Sequence, residues 1–171
     1  MMHPWHDRHP RMDTKPDHRT FPWPHPSGAA EWLGYLCVLP LVLGLAAVGL
    51  LSDSATRELA QRITVAWGAT LLAFTGAVHW GLALAGRLPW SAQRIAGALA
   101  PAVIGTAAVV VAGQRGLALL VVGFGGFWLY EHRVVGAALP EDYLNLRRQL
   151  SMAICLVLAL TMFVSDGAGL T

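Results

Sequence analysis

Few side chains in this sequence could do chemistry, and those few gather around apolar runs. They are His79, Trp80, Glu131, His132, Arg133, Tyr35, Tyr143 and Arg147. His79, in the tripeptide His79-Trp80-Gly81, is the only readily titratable group between Ile63 and Gly86. An imidazole in so apolar a run is costly unless it faces protein. Its ordinary role is a hydrogen bond to a backbone carbonyl or to Glu131 on another helix. A proton relay, a substrate contact or ligation of haem or a metal are the sharper alternatives. Glu131-His132-Arg133 end an apolar run abruptly and read as an interfacial ion pair with a cationic anchor. Two histidines on facing helices can hold haem, but His132 falls nearer to water than His79, which counts against the pair.

The sequence carries no motif of a known chemistry. It has no Walker loop, no Gly-x-Ser-x-Gly elbow, no His-Glu-x-x-His and no Cys-x-x-Cys. Gly123-x-Gly125-Gly126 lies inside an apolar run and lacks the strand that a nucleotide loop requires. Cys37 and Cys155 sit in separate apolar runs without metal-type spacing and read as small buried hydrophobes. No cofactor, resident metal or catalytic residue is expected, and an enzyme is not.

The elements that must position these residues are long helices. The chain is 55% hydrophobic and only 13% charged, where a soluble domain carries roughly a quarter charged residues. A net charge of +2 without a basic patch excludes a nucleic-acid partner. The expected fold is all-α, a polytopic membrane bundle of about five spans, near 31–51, 60–86, 92–113, 116–137 and 143–165. Residues 29–167 form that domain. Pro40 and Pro101 lie inside the first and third runs and are candidate kinks, tolerated where neighbours satisfy the freed carbonyl. Gly76, Gly81, Gly123 and Gly126 are candidate points of close helix packing. Ser52 to Thr56 form a polar link able to cap the second helix, Gln114-Arg115 read as a short turn, and Leu139 to Tyr143 read as a helix start.

Residues 1–28 are a proline-rich tail with five of the seven histidines. Its prolines prevent a helix from gathering the imidazoles, so a disordered cytosolic extension is expected, with weak metal capture as the alternative. Five spans place nine basic residues on the side of the N-terminus and three on the other. The N-terminus is therefore expected inside and the C-terminus outside, in a multi-pass protein of a bacterial inner membrane. Nearly every unusual polar residue then falls in the cytoplasmic half.

The order Trp32-Leu33-Gly34-Tyr35, Leu39-Pro40, His79-Trp80-Gly81, Glu131-His132-Arg133, Leu139-Pro140, Tyr143 and Leu146-Arg147 resembles domain-of-unknown-function family 3429 over about residues 30–165. This family of small multi-span proteins includes eukaryotic transmembrane protein 69. The resemblance implies a membrane bundle and no established reaction. The family pattern has a Trp before the Tyr of its Pro-x-x-Tyr segment, where this chain has Asp142. Taken together, these features suggest an interaction or assembly factor for a larger membrane complex, with a membrane-protein partner or a homo-oligomer. A small oligomeric transporter or channel using His79 and Glu131, and a membrane redox protein, are the alternatives.

Overall fold

The computed structural model describes residues 28–136 and 139–167. The histidine-rich tail lies outside the described residues, so its expected disorder and metal capture are not addressed by it. The described chain is built from α1 (Gly28–Leu50), α2 (Ser54–Leu84), α3 (Ala92–Val111), α4 (Gly113–Tyr130) and α5 (Glu141–Gly167), with a π-helical turn, Glu131–Val135, directly after α4. Four helices are long and apolar enough to cross a membrane: Glu31–Leu50 within α1, Ser54–Leu84, Ala92–Val111 and Glu141–Asp166 within α5. The fourth helix is 18 residues long and begins with Gln114 and Arg115 in its first turn.

Local chemistry sets the boundaries. Asp53 has extended backbone, and its carboxylate accepts from the Thr56 amide at 2.8 Å and from the Thr56 hydroxyl. It is thus an N-cap. The hydroxyl bond, followed by the amide, holds this acid below its ordinary pKa. As a result α2 starts at Ser54, earlier than the run of apolar residues alone suggests. Ser91 caps α3 in the same way, accepting from the Arg94 amide.

The turn between α3 and α4 differs from expectation. It is made by Ala112 and Gly113, at φ 55° and 53°, and Gln114 and Arg115 belong to the helix after it. Two successive left-handed residues reverse the chain within one step, at a steric cost for Ala112 that a glycine would not bear. Pro40 and Pro101 both lie inside helices that continue through them.

Each helix packs against the next, α5 returns to α1, and α2 and α4 meet across the ring. The interior is filled by Val38 and Leu41 of α1, Val65, Ala69 and Leu72 of α2, Leu117, Leu120 and Phe124 of α4, and Ile154 and Leu158 of α5. Large apolar side chains such as Leu43, Phe74, Val103, Val122 and Phe163 point outward. With apolar groups inside and out, the bundle has the composition of a body solvated by lipid. At the α2–α3 seam the two backbones approach closely. A Cβ on Gly76 would stand 2.3 Å from the Ala98 carbonyl oxygen, and one on Gly105 would stand 2.9 Å from that of Ala69. Close backbone approach through small residues is how helices associate where no water drives them together.

Candidate functional site

The ends of the helices that bring the chemistry together are the start of α1, the end of α2, the start of α3, the π turn and the start of α5. His79 lies in the last two turns of α2 and Glu131 opens the π turn. Both are buried, at 3% and 1% exposure. Burying two titratable side chains is costly in any helical bundle unless each meets a partner. Glu131 meets Arg147, whose Nε donates to Oε2 at 3.0 Å. The guanidinium also stands 5.9 Å above the ring of Phe127.

Glu131 faces His79 with its other oxygen. Nε2 of His79 lies 3.6 Å from Oε1, too long for a hydrogen bond, and neither atom has a partner among the described residues. On the other side of the ring, Nδ1 lies 3.3 Å from the Thr75 carbonyl oxygen, one turn back along α2. Phe127 meets the imidazole edge-on, with centroids 5.3 Å apart, and stacks in turn on Tyr130. Tyr130 packs against the open backbone of Gly97 and donates to the Gln93 carbonyl at 3.1 Å. Aromatic side chains thus fix the imidazole plane, while its second nitrogen is left without a partner.

Two cavities flank this pair. A crevice of about 420 Å³ between the π turn and α5 is walled by Glu131, His132, Glu141, Asn145, Arg147 and Arg148, with Trp128 beside them. A groove of about 190 Å³ between α2 and α3 is walled by His79, Trp80, Trp90, Arg94, Ala98 and Leu99.

The structure brings together His79, Glu131 and Arg147, with Tyr143 in the small cluster of Leu88, Val135 and Leu139 beside them. It corrects the expected pairing within Glu131-His132-Arg133, because the partner of Glu131 is Arg147 and Arg133 is exposed. His132 is stacked on Trp128 at the exposed side of the π turn, so the two imidazoles do not face one another. Tyr35 is half exposed and bonds Gln149 at 3.2 Å, away from the cluster. Trp80 points outward into the groove's mouth. Gly76 and Gly123 lie at tight contacts, whereas Gly81 and Gly126 face open space, which corrects the packing role expected of those two.

The sequence reading missed Arg94, which reaches the groove from α3, and Tyr130. It also missed the π turn. A wider helical turn inserts one residue and rotates the chain beyond it, a feature found often at functional sites. A carboxylate at the junction of an apolar run and a charged triplet is the signal that points there.

The chain matches the family described as "protein of unknown function (DUF3429)" over residues 26–163, most of its length, and it belongs to that family. No curated protein and no solved structure matches it.

Proposed function

We propose that this member of the family works by binding. In this reading it is an interaction factor that assists assembly or stability of a larger membrane complex, and its contact is the charged crevice beside Glu131. The observation that carries the reading is the one-sided placement of the cluster. The crevice opens at the end of the bundle that holds Glu131 and Arg147, and the next layers of the interior are apolar, with Leu72, Leu120 and Phe124. A site of that shape favours holding a partner segment over passing a solute. His132, Arg148 and Glu141 offer charges of both signs to a polar segment of a partner chain.

By the excess of basic residues, the crevice faces the cytoplasm, α4 with its π turn is the fourth of five spans, and the membrane is a bacterial inner membrane. The reading requires no reaction and no cofactor. A second reading, an oligomeric proton or solute pathway, is favoured by the buried His79–Glu131 pair lying between two cavities. The apolar interior beyond it weighs against a path within one copy.

The test is native gel electrophoresis of mild-detergent extracts at native expression, comparing wild type with Arg148→Glu. Wild type should migrate with a defined larger complex and the variant should not. A lone species in both samples, with proton flux in liposomes, would replace this reading with the second. A reporter fused after Thr171 should be active only outside the cytoplasm.

A further inference from the structure

Arg94 occupies a position that its own helix disfavours. It stands in the first turn of α3, where the partial positive charge of the helix N-terminus opposes a cation. That turn holds no acidic residue, and the chain has none from position 59 to position 130. Among the described residues no carboxylate pairs with Arg94, whose Nη1 donates to the Pro89 carbonyl at 2.8 Å. That bond uses one of the five guanidinium N–H groups. No nitrogen of Arg94 is buried without a partner among the described residues, so the remaining donors are open to the outside. A guanidinium and a helix N-terminus that share one spot call for an anion.

The same arginine lines the groove between α2 and α3. Apart from Arg94 and the buried ring of His79, the walls are Trp80, Ala83, Trp90, Ile95, Ala98 and Leu99. Trp80, Trp90 and Leu99 are more than half exposed. The groove therefore lies on the apolar outer surface of the bundle, where acyl chains solvate the protein. A cavity of about 150 Å³ holds a six-carbon ring, so about 190 Å³ takes roughly seven or eight carbons of an acyl chain. Indoles beside an arginine are what the headgroup level of a bilayer favours. An apolar trough with one cation in its wall suits a molecule that is an anion at one end and hydrocarbon at the other.

We propose that this groove is a site for one phospholipid with an anionic headgroup. Its phosphodiester meets the Arg94 guanidinium and the N-terminal turn of α3, and one acyl chain lies in the groove. Basic pockets between membrane helices hold anionic headgroups in this way. A zwitterionic lipid offers the same phosphate, but its ammonium group finds no carboxylate on the later turns of α2, the following loop or α3. The site selects net negative charge for that reason. It asks nothing of the ring nitrogens of His79, and it is independent of the partner crevice between the π turn and α5.

The experiment uses the full chain in phosphatidylcholine vesicles, into which phosphatidylglycerol or phosphatidylcholine with a brominated acyl chain is titrated. Bromine quenches an indole only at close range, so Trp80 and Trp90 report an occupied groove. Indoles that face bulk lipid are quenched alike by both. Part of the fluorescence should be lost at about tenfold lower content of the brominated phosphatidylglycerol, the factor expected of one charge-assisted hydrogen bond. Arg94→Gln should bring that ratio to about one. Arg115→Gln removes the same charge from an exposed position at the other end of the bundle and should leave the ratio unchanged. Should Arg94→Gln fail to fold, Ala98→Leu narrows the groove and should lower the ratio by about tenfold. Equal quenching by the two lipids in wild type, a preference that survives Arg94→Gln, one that is lost in Arg115→Gln, or one unchanged in Ala98→Leu would each overturn the proposal.

Discussion

The two ends of the bundle treat buried polar groups differently. At the end of α2 that begins with Ser54, Thr64 donates to the Ala60 carbonyl, Thr161 to that of Val157 and Ser165 to that of Thr161. Gln61 reaches Ser165 across to α5, and the Gln114 amide donates to the Met162 carbonyl. The unpartnered atoms there are the Gln114 carbonyl oxygen and Arg57 Nε, both on half-buried residues. At the His79 end the unpartnered atoms belong to two fully buried side chains and face each other. Polar groups that bond their own helix serve packing and ask for nothing more. Two buried polar atoms that face each other beyond hydrogen-bond distance are not explained by packing alone, and that difference sets this end apart from the other.

The largest effect expected is at Glu131. Glu131→Ala leaves the guanidinium of Arg147, 16% exposed, without its partner, and should lower unfolding stability in detergent by about 3 kcal/mol. Replacing both members, Glu131→Leu with Arg147→Met, should recover most of that loss, because neither charge then needs solvating. At the other end, Thr161→Val should change stability by less than about 1 kcal/mol. If Thr161→Val proved as costly as Glu131→Ala, the contrast between the two ends would disappear.

The next contrast lies along α2 itself, where Gly76 and Gly81 read alike in the sequence. A Cβ at position 76 meets backbone of α3, which has no flexible end to move aside, whereas at 81 it meets nothing within 4 Å. Gly76→Ala should therefore cost about 2 kcal/mol by forcing the helices apart. Gly81→Ala should gain up to about 1 kcal/mol from helix propensity. Thermal unfolding of both variants in one detergent checks the pair.

That pair also shows where reading the sequence stops. Hydropathy run lengths gave the helices and the order of residues placed His79 and Glu131 at one end, since both depend only on local composition and chain direction. Which glycine lies under a neighbour, and that Glu131 takes Arg147 rather than Arg133, depends on the rotation of each helix about its axis. The π turn changes that rotation just where the charged triplet begins. The Ala112–Gly113 reversal was hidden for a similar reason, because polar Gln114 and Arg115 are the stronger turn signal by composition, while the backbone turned at the small residues before them.

The smallest effect is at Asp53, whose cap lies on the surface at the end remote from His79. Asp53→Ala removes the acceptor for the Thr56 amide and hydroxyl and should lower the unfolding temperature slightly near neutral pH. The sign of its pH dependence comes from the lowered folded-state pKa. The unfolded chain binds the proton more readily, so the contribution is complete above the ordinary carboxylate range and disappears as pH falls through the folded value. The difference between wild type and Asp53→Ala should accordingly shrink on acidification below about pH 4. The same substitution should leave the stability cost of Glu131→Ala unchanged, as expected of distant sites without shared partners. A change in that cost would mean that the two ends are coupled through α2, and the division between them would have to be abandoned.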